Sequence, residues 1–313
     1  MVISVIIPAY NAEKTLERAV LSCFSQGTND FELIIIDNNS TDGTLTVANE
    51  LASKYKQVRV LKEEKQGAAA ARNNGTRKAN GEWLQFLDSD DVLSEGKWIR
   101  QLKLLSTDVN WLIGAFTIHD GVFDDEFVGV NPDHWYALLY SGEIGCMNSN
   151  MFRTATYLSY GGMNEDLPDH EDYDLYFRLL QNGEAYATDT DSGCVYIRPS
   201  SLTLSTIDDP GRTKRRVELT SQIVKFLKEN EGSYYSRQRK FIESIKLKHL
   251  RMQATFDLEG ASYSYNMLFP KGLRGVDMDK SLLPSYYLLY IVFGYFRIER
   301  LRRLGRVWKS KYL

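Results

Sequence analysis

Three carboxylates, Asp88, Asp90 and Asp91, fall within four positions, directly after the apolar run Trp83-Leu84-Gln85-Phe86-Leu87. Clustered acids repel one another and are costly to bury without a counter-charge. Hard divalent cations supply that charge and prefer oxygen ligands. Mg²⁺ or Mn²⁺ keeps one or two protein carboxylates and fills its other positions with water and substrate phosphates. An apolar strand ending in acids therefore points to a metal–diphosphate site at the strand's carboxyl end, where open α/β sheets bind ligands. An isolated Asp-x-Asp is also short enough to be a solvated acidic turn, so the surrounding elements must decide.

Those elements alternate. Val2-Ile3-Ser4-Val5-Ile6-Ile7 reads as a buried strand stopped by a turn at Pro8-Ala9-Tyr10-Asn11. Residues 12–25 carry Leu16, Ala19, Val20, Cys23 and Phe24 at helical spacing. Phe31–Ile36 is a second strand, ending in Asp37-Asn38-Asn39-Ser40, with Ser40 or Asp42 as cap of a helix through about Tyr55. Val58–Leu61 is a short third strand, and the Ala-rich stretch from Gly67 to Ala79 reads as helix despite Gly75. This β-α repetition predicts an α/β fold with a doubly wound, mostly parallel sheet. No Gly-x-Gly-x-x-Gly follows the first strand and no Gly-x-x-x-x-Gly-Lys-Ser/Thr occurs, so the glycine cradles of dinucleotide enzymes and P-loop ATPases are missing. Phosphates must be held by metal and side chains.

Five ordered blocks resemble the family 2 glycosyltransferases: Ser4-Val5-Ile6-Ile7-Pro8-Ala9-Tyr10-Asn11; Glu32 to Thr44; Gly67 with Ala71-Arg72-Asn73-Asn74-Gly75; Ala79-Asn80-Gly81-Glu82-Trp83 leading into Asp88-Ser89-Asp90-Asp91; and Gly161-Gly162-Met163-Asn164 followed by Glu171-Asp172-Tyr173-Asp174-Leu175. The resemblance covers about residues 1–205. It implies the GT-A fold, inverting transfer of a sugar from a nucleotide-diphosphate donor, and dependence on Mn²⁺ or Mg²⁺. It also implies roles. Pro8, Tyr10 and Asn11 lie where the family places the base, and a tyrosine face stacks on a flat pyrimidine; the alternative is that Tyr10 packs a turn. Asp37 and Asn38 end the second strand, where the family often has two Asp and the second reads uracil. An Asn38 amide can still pair with a ring N–H and a carbonyl, so a UDP-sugar is the expected donor, with thymidine and guanosine open. Arg72 would pair with Asp37 or reach the nucleotide. Asp88 and Ser89 would lie on the donor, with Asp88 and Asp90 toward the metal and Asp90 its direct ligand.

The family's general base is the acid of its Glu-Asp motif, here Asp172, with Glu171 and Gly162 on the acceptor side. Inversion requires a carboxylate to take the acceptor hydroxyl's proton. Residues 172–181 read as a helix with Leu175, Leu179 and Leu180 inward and Arg178 outward, so Asp172 falls in the first turn. The plainer alternative is that Asp169, Glu171 and Asp172 only decorate a helix start. Residues 120–133 read as an acidic loop. Trp135, Tyr136, Tyr140 and Phe152 suit either sugar stacking or, more simply, core. Arg198–Ser201 resembles the family's closing segment near the diphosphate.

The formal charge of −3 gives no global attraction to nucleic acid. Three cysteines, Cys23, Cys146 and Cys194, are widely spaced in sequence, odd in number and without metal-ligand spacing, which reads as free thiols in a reducing cytoplasm. The chain opens on a strand, so no signal peptide is expected. The organisation reads as a catalytic domain over 1–210 (a nucleotide-sugar half, 1–91, and an acceptor half, 92–210) followed by a helical region over 211–313, with helices at 212–230 and 234–258. Tyr286–Phe296 is apolar but too short to span a bilayer. From Arg297 onward seven basic residues face one acid, Glu299, and Ile298, Leu301, Leu304 and Trp308 share a helical face. That pattern fits contact of 286–313 with anionic membrane or docking on protein. The whole reads as an enzyme extending a glycan or lipid-linked acceptor at the cytoplasmic membrane face in surface polysaccharide synthesis. A nucleotidyltransferase and a non-catalytic sugar-nucleotide binder are the alternatives.

Overall fold

Ile3–Ala9 form β1, a β-branched run that is buried on both faces, as parallel strands covered by helices are. The computed structural model describes residues 3–119, 125–197, 210–273, 276, 278, 290 and 294–302. The strand does not stop before Pro8, as the sequence suggests, but runs through it. The reason lies in the ladder. The Ile6 carbonyl accepts from Leu87 N–H on the β4 side, so Pro8, two residues on, faces the same way. Pairing on that side ends at Ile6↔Phe86, and a missing donor costs nothing there.

Leu16–Phe24 form α1, which buries Leu16, Ala19, Val20 and Cys23. Phe31–Asp37 form β2, buried throughout, and Thr44–Lys54 form α2. The cap of α2 is Gly43 and not Ser40 or Asp42. Asp42 still accepts the Thr44 N–H at 3.0 Å from just outside the helix, while the Ser40 hydroxyl accepts from Asn11 N–H. Val58–Lys62 form β3 and Ala68–Arg77 form α3. Gly75 costs α3 about 1 kcal/mol of helix propensity, and the packing explains it. A Cβ there would sit 2.6 Å from Ile6 and 2.7 Å from Ile36, so α3 lies directly against the sheet.

Trp83–Phe86 (β4) completes the parallel half, in the order β3-β2-β1-β4. Beyond it the sheet is mixed. Val92–Leu93 (β5), Lys97–Leu102 (α4), Trp111–His119 (β6), Glu126–Val128 (β7), His134–Tyr136 (α5), Met151–Arg153 (β8), Thr154–Ser159 (α6), Glu171–Gln181 (α7) and Tyr186–Ile197 (β9) follow in chain order. Among the described residues nine strands run β3-β2-β1-β4-β8-β6-β9-β5, with β7 on β6. Strand β8 is antiparallel to both β4 and β6, which splices the two halves into one sheet. Phe152 is core, stacked against Trp111 and Tyr176.

The chain divides into two compact units, Met1–Leu202 and Thr203–Leu313. The second holds Pro210–Asn230 (α8), Gly232–Arg237 (α9), Arg239–Phe256 (α10) and Leu258–Leu268 (α11). Helical periodicity alone merges α9 with α10. Leu247, Leu250, Tyr265, Tyr290, Tyr295 and Ile298 share the core of this unit. Ile298 is thus buried, Leu301 is exposed, and Arg302 pairs with buried Glu299 at 2.6 Å. The first turns of the basic segment therefore dock on protein, and do not present Ile298 and Leu301 as one free face. Residues 286–289, 291–293 and 303–313, and Arg198–Ser201, lie outside the described residues. No helix among those described is long and apolar enough to cross a membrane.

Candidate active site

Strands β1, β2 and β4 are parallel neighbours, so their carboxyl ends open onto one edge of the sheet. Pro8 lies one residue before the end of β1, and Tyr10 just beyond the strand is 53% exposed, leaving its ring face available. Asn11 adopts a left-handed φ of 51°. Its amide oxygen accepts the Thr41 N–H at 2.8 Å, so Asn11 ties the β1 loop to the β2 loop. Asp37 is buried, and its Oδ1 has no hydrogen-bond partner among the described residues. A buried acceptor left open in this way is a free-energy cost unless something else fills it.

The Asn38 amide is engaged by the protein itself. Its Nδ2 donates to the carbonyls of Glu63 and Lys65 at 2.9 and 2.8 Å, and its Oδ1 accepts the Gly67 N–H at 2.8 Å. The side chain holds the 63–67 loop against β2, because those three groups match its donors and acceptor. Both amide hydrogens are thereby used, while Oδ1 keeps a second lone pair.

Arg72 pairs with neither Asp37 nor open solvent. It is buried on α3 and spans two acids, meeting Asp88 Oδ1 at 2.6 Å and Glu171 Oε1 at 3.0 Å. Burial opposes its charge, but Asp88 and then Glu171 more than offset this and raise its pKa. One guanidinium therefore joins the acid turn after β4 to the first turn of α7. A planar fork suits two separate carboxylates.

The three acids after β4 have different surroundings. The Asp88 N–H donates to Asn148 Oδ1 at 2.9 Å, and Ser89 is half-buried in the turn. Burial and the charge of Asp88 push the Asp90 carboxyl above its ordinary value. The Arg18 guanidinium donates to the Asp90 main-chain oxygen at 2.6 Å and partly offsets that rise. Asp91 is fully buried. Its Oδ1 accepts the Ile197 N–H at 2.7 Å and its Oδ2 accepts from the Asn148 amide. Burial, then Asp88, raise its pKa to about 9. Asp91 thus pins the turn to β9, a structural task.

Across the site, Asp172 lies in the first turn of α7, its Oδ1 accepting the Tyr173 N–H at 2.8 Å. Burial, reinforced by Glu171, pushes its pKa up to about 6. Asp172 and Tyr173 line a cavity of about 410 Å³ with Phe116, Ile118, Glu143 and Cys146. Trp135, Tyr136 and Tyr140 are not among its walls; Trp135 packs on Phe177. Gly162 lies away from this cavity. Its φ is +73°, and a Cβ would come 2.4 Å from Asn73 Oδ1, so it is a packing glycine. Arg178 is not outward either. It donates to Asp174 at 2.9 Å and to the carbonyls of Tyr160 and Gly162. Leu180 is only half-buried.

Two roles escaped the sequence reading. Asn148 holds both Asp88 and Asp91 from the loop before β8, and its signal is the polar triplet Asn148-Ser149-Asn150 between two methionines. Asn73 clasps Met163 through both its N–H and its carbonyl, at 2.9 and 2.8 Å, fixing the Gly161–Asn164 turn to α3.

A family model described as Glycosyl transferase family 2 matches residues 4–156. The UDP-Glc:alpha-D-GlcNAc-diphosphoundecaprenol beta-1,3-glucosyltransferase WfaP of Escherichia coli is 32% identical over 191 residues, covering 58% of this chain and 71% of that protein. A glycosyltransferase of Haemophilus influenzae is 43% identical over 104 residues, 33% of this chain, and the chain spans 42% of that relative's length. Staphylococcus aureus TarS 1-349, solved in complex with UDP-GlcNAc, has a TM-score of 0.63 at 19% identity, over 97% of this chain and 92% of that one. At that identity the likeness is one of fold, the GT-A fold. From the family model and the extent of the WfaP match, the chain belongs to the family 2 glycosyltransferases and is a glycosyltransferase.

Proposed function

We propose that this enzyme transfers a sugar, with inversion, from a UDP-sugar to a glycan or lipid-linked acceptor in surface polysaccharide synthesis at the cytoplasmic face of the membrane. The observation that carries the reading is the Arg72 bridge. It sets the acid turn that would face the diphosphate and the acid that would deprotonate the acceptor on either side of one buried cation.

On the donor side, the open Oδ1 of Asp37 is an acceptor for a pyrimidine ring N–H. The exposed Tyr10 ring is a stacking face for the same base. TarS, the fold neighbour, was solved with UDP-GlcNAc, which supports uridine. Mn²⁺ or Mg²⁺ would be held by Asp90, with Asp88 beside it. The donor set fits: Asp90 is half-buried next to another acid and pushed toward its neutral form, a strain a cation relieves. Among the described residues no group of three or more His, Cys, Asp or Glu converges as a metal cage. When bound, the ion would neutralise charge on the departing diphosphate.

On the acceptor side, Asp172 takes the proton of the attacking hydroxyl. Its raised pKa places it near the pH at which a general base works best. Glu171 anchors Arg72 and keeps negative charge beside the base. WfaP's name specifies a diphosphoundecaprenol acceptor, which supports a lipid-linked acceptor here. Phe296 and Leu301 are exposed beside Arg297 and Arg300, a surface suited to anionic lipid. Family membership removes the nucleotidyltransferase alternative, and retention of Asp90 and Asp172 speaks against a mere binder.

The test is a melting-point screen of nucleotide sugars with Mn²⁺, followed by NMR of the product linkage. A ligand at 100 times its Kd stabilises by about 2.7 kcal/mol. A UDP-sugar should raise the melting point, and the product should have the opposite anomeric configuration. Stabilisation by no uridine donor, or retention of configuration, would overturn the proposal.

A further inference from the structure

Two cysteines nearly fifty residues apart in sequence meet in the wall of the cavity that Asp172 lines. The sulfur atoms of Cys146 and Cys194 are 3.5 Å apart. Cys146 is partly exposed and lines the cavity. Cys194 lies behind it, fully buried on β9. The remaining thiol, Cys23, is buried on α1 among aliphatic core residues.

The two thiols have unlike surroundings. The hydrogen bond with Cys194 holds the Cys146 thiol below its ordinary range, with further bonds from Ser149 and the Asn148 N–H. Burial pushes Cys194 well above it. An accessible sulfur with thiolate character beside a buried thiol is the arrangement that lets one cysteine react first and the other resolve it.

We infer that Cys146 and Cys194 are a redox-active pair that closes to an intramolecular disulfide when the enzyme meets a peroxide. The Cys146 thiolate attacks one peroxide oxygen and cleaves the O–O bond. Hydroxide leaves, takes up a proton to become water, and a sulfenic acid remains on Cys146. The Cys194 sulfur then attacks that sulfur and forms the S–S bond. The sulfenic hydroxyl leaves with the Cys194 proton as a second water. Two thiols are oxidised by two electrons and the peroxide is reduced by the same two.

The bridge bears on the active site through its loop. Closing a 3.5 Å contact to a bond of about 2 Å draws Cys146 toward β9. Asn148, two residues on, holds the Asp88 N–H and the Asp91 carboxylate. Side chains that orient a metal's own ligands typically change activity by roughly 10–100-fold when disturbed. Oxidation should therefore lower turnover by about tenfold and reductant should restore it.

The experiment treats the full chain with hydrogen peroxide after removal of reductant. Non-reducing peptide mapping should find a Cys146–Cys194 cross-link, with a loss of about 2 Da relative to the dithiol, and dithiothreitol should reverse it. In Cys194→Ser, a 1,3-dione probe should trap the sulfenic acid on Cys146. In Cys146→Ser, Cys194 should stay unmodified. The cross-link is read by mass, so it stands or falls apart from the donor and acceptor assigned above. Direct passage of Cys146 to sulfinic acid while Cys194 stays free would overturn the pairing. A bridged protein with unchanged turnover would overturn its coupling to Asn148.

Discussion

Asp172→Asn should abolish transfer and at the same time stabilise the fold. The substitution keeps the side chain's shape, and an amide oxygen can still accept the Tyr173 N–H. It removes a charge that burial and Glu171 both disfavour, as shown by a pKa raised from 3.8 to about 6. A group whose folded pKa lies above its unfolded value contributes stability below the unfolded value and loses it as pH rises through the folded one. The native protein thus gives up stability between about pH 4 and pH 6, and above that range it carries the full cost of an ionised Asp172. Two pH units correspond to an upper bound of about 3 kcal/mol, so Asn should recover of the order of 1–3 kcal/mol at pH 7 and raise the melting point by several degrees. Transfer should fall at least about 10²-fold, the low end for a lost general base. Donor binding should persist. The same ionisation predicts that native turnover drops about tenfold from pH 7 to pH 5, and that Glu171→Gln shifts this acid limb to lower pH. The assays are product formation against pH and a calorimetric melt of both proteins. Near-normal transfer, or a melting point that falls, would refute the assignment of Asp172 as a charged base held at an energetic cost.

Asp90→Asn should abolish turnover and weaken Mn²⁺-dependent nucleotide binding, whereas Asp91→Ala should lower the melting point through two lost buried hydrogen bonds, about 1–3 kcal/mol each. Titration calorimetry and melting curves separate these, and a larger loss of metal affinity at Asp91 would reverse the roles. Arg72→Met leaves Asp88 and Glu171 facing each other without their cation, and should destabilise by about 3–5 kcal/mol in denaturant titrations; a change under 1 kcal/mol would show that the bridge is not a structural element. Deletion of residues 303–313 should reduce binding to anionic vesicles at low salt, where attraction is strongest, and leave donor hydrolysis intact. Residues 286–302 are unsuitable for that deletion because Tyr290, Tyr295 and Ile298 are core; a full-length protein that ignores such vesicles would remove the membrane contact.

What the sequence reveals and what it hides follow from the range of the interactions. The parallel half is legible because Ile3 to Ile7 and Phe31 to Ile36 form mostly apolar, isoleucine-rich runs with turn residues behind them, all local signals. The antiparallel insertion of β8 is not, since Met151–Arg153 is three residues long and owes its place to partners far away in the chain. The acids of the site are visible as residue types. Their division of labour is not, because Asp90 and Asp91 are adjacent and differ only in what folds over them: Ile197 and Asn148 cover Asp91, and their carboxylate contacts pass Asp90 by. Asn38 shows the opposite case. The resemblance assigns it to the donor base, whereas its amide tethers the 63–67 loop through Glu63, Lys65 and Gly67, partners that only the fold discloses.

Gly75 acts as a ruler for the active site without touching it. Its missing side chain sets how close α3 lies to the sheet, and Arg72 rides on the same helix one turn earlier. A single methyl at position 75 would meet Ile6 and Ile36 and wedge the helix outward. The guanidinium would move with it, and both of its acids would feel the displacement together. Drift or laboratory selection for new acceptors should therefore leave position 75 untouched while the cavity walls vary, since the spacing between the two halves of the chemistry is stored in that one gap.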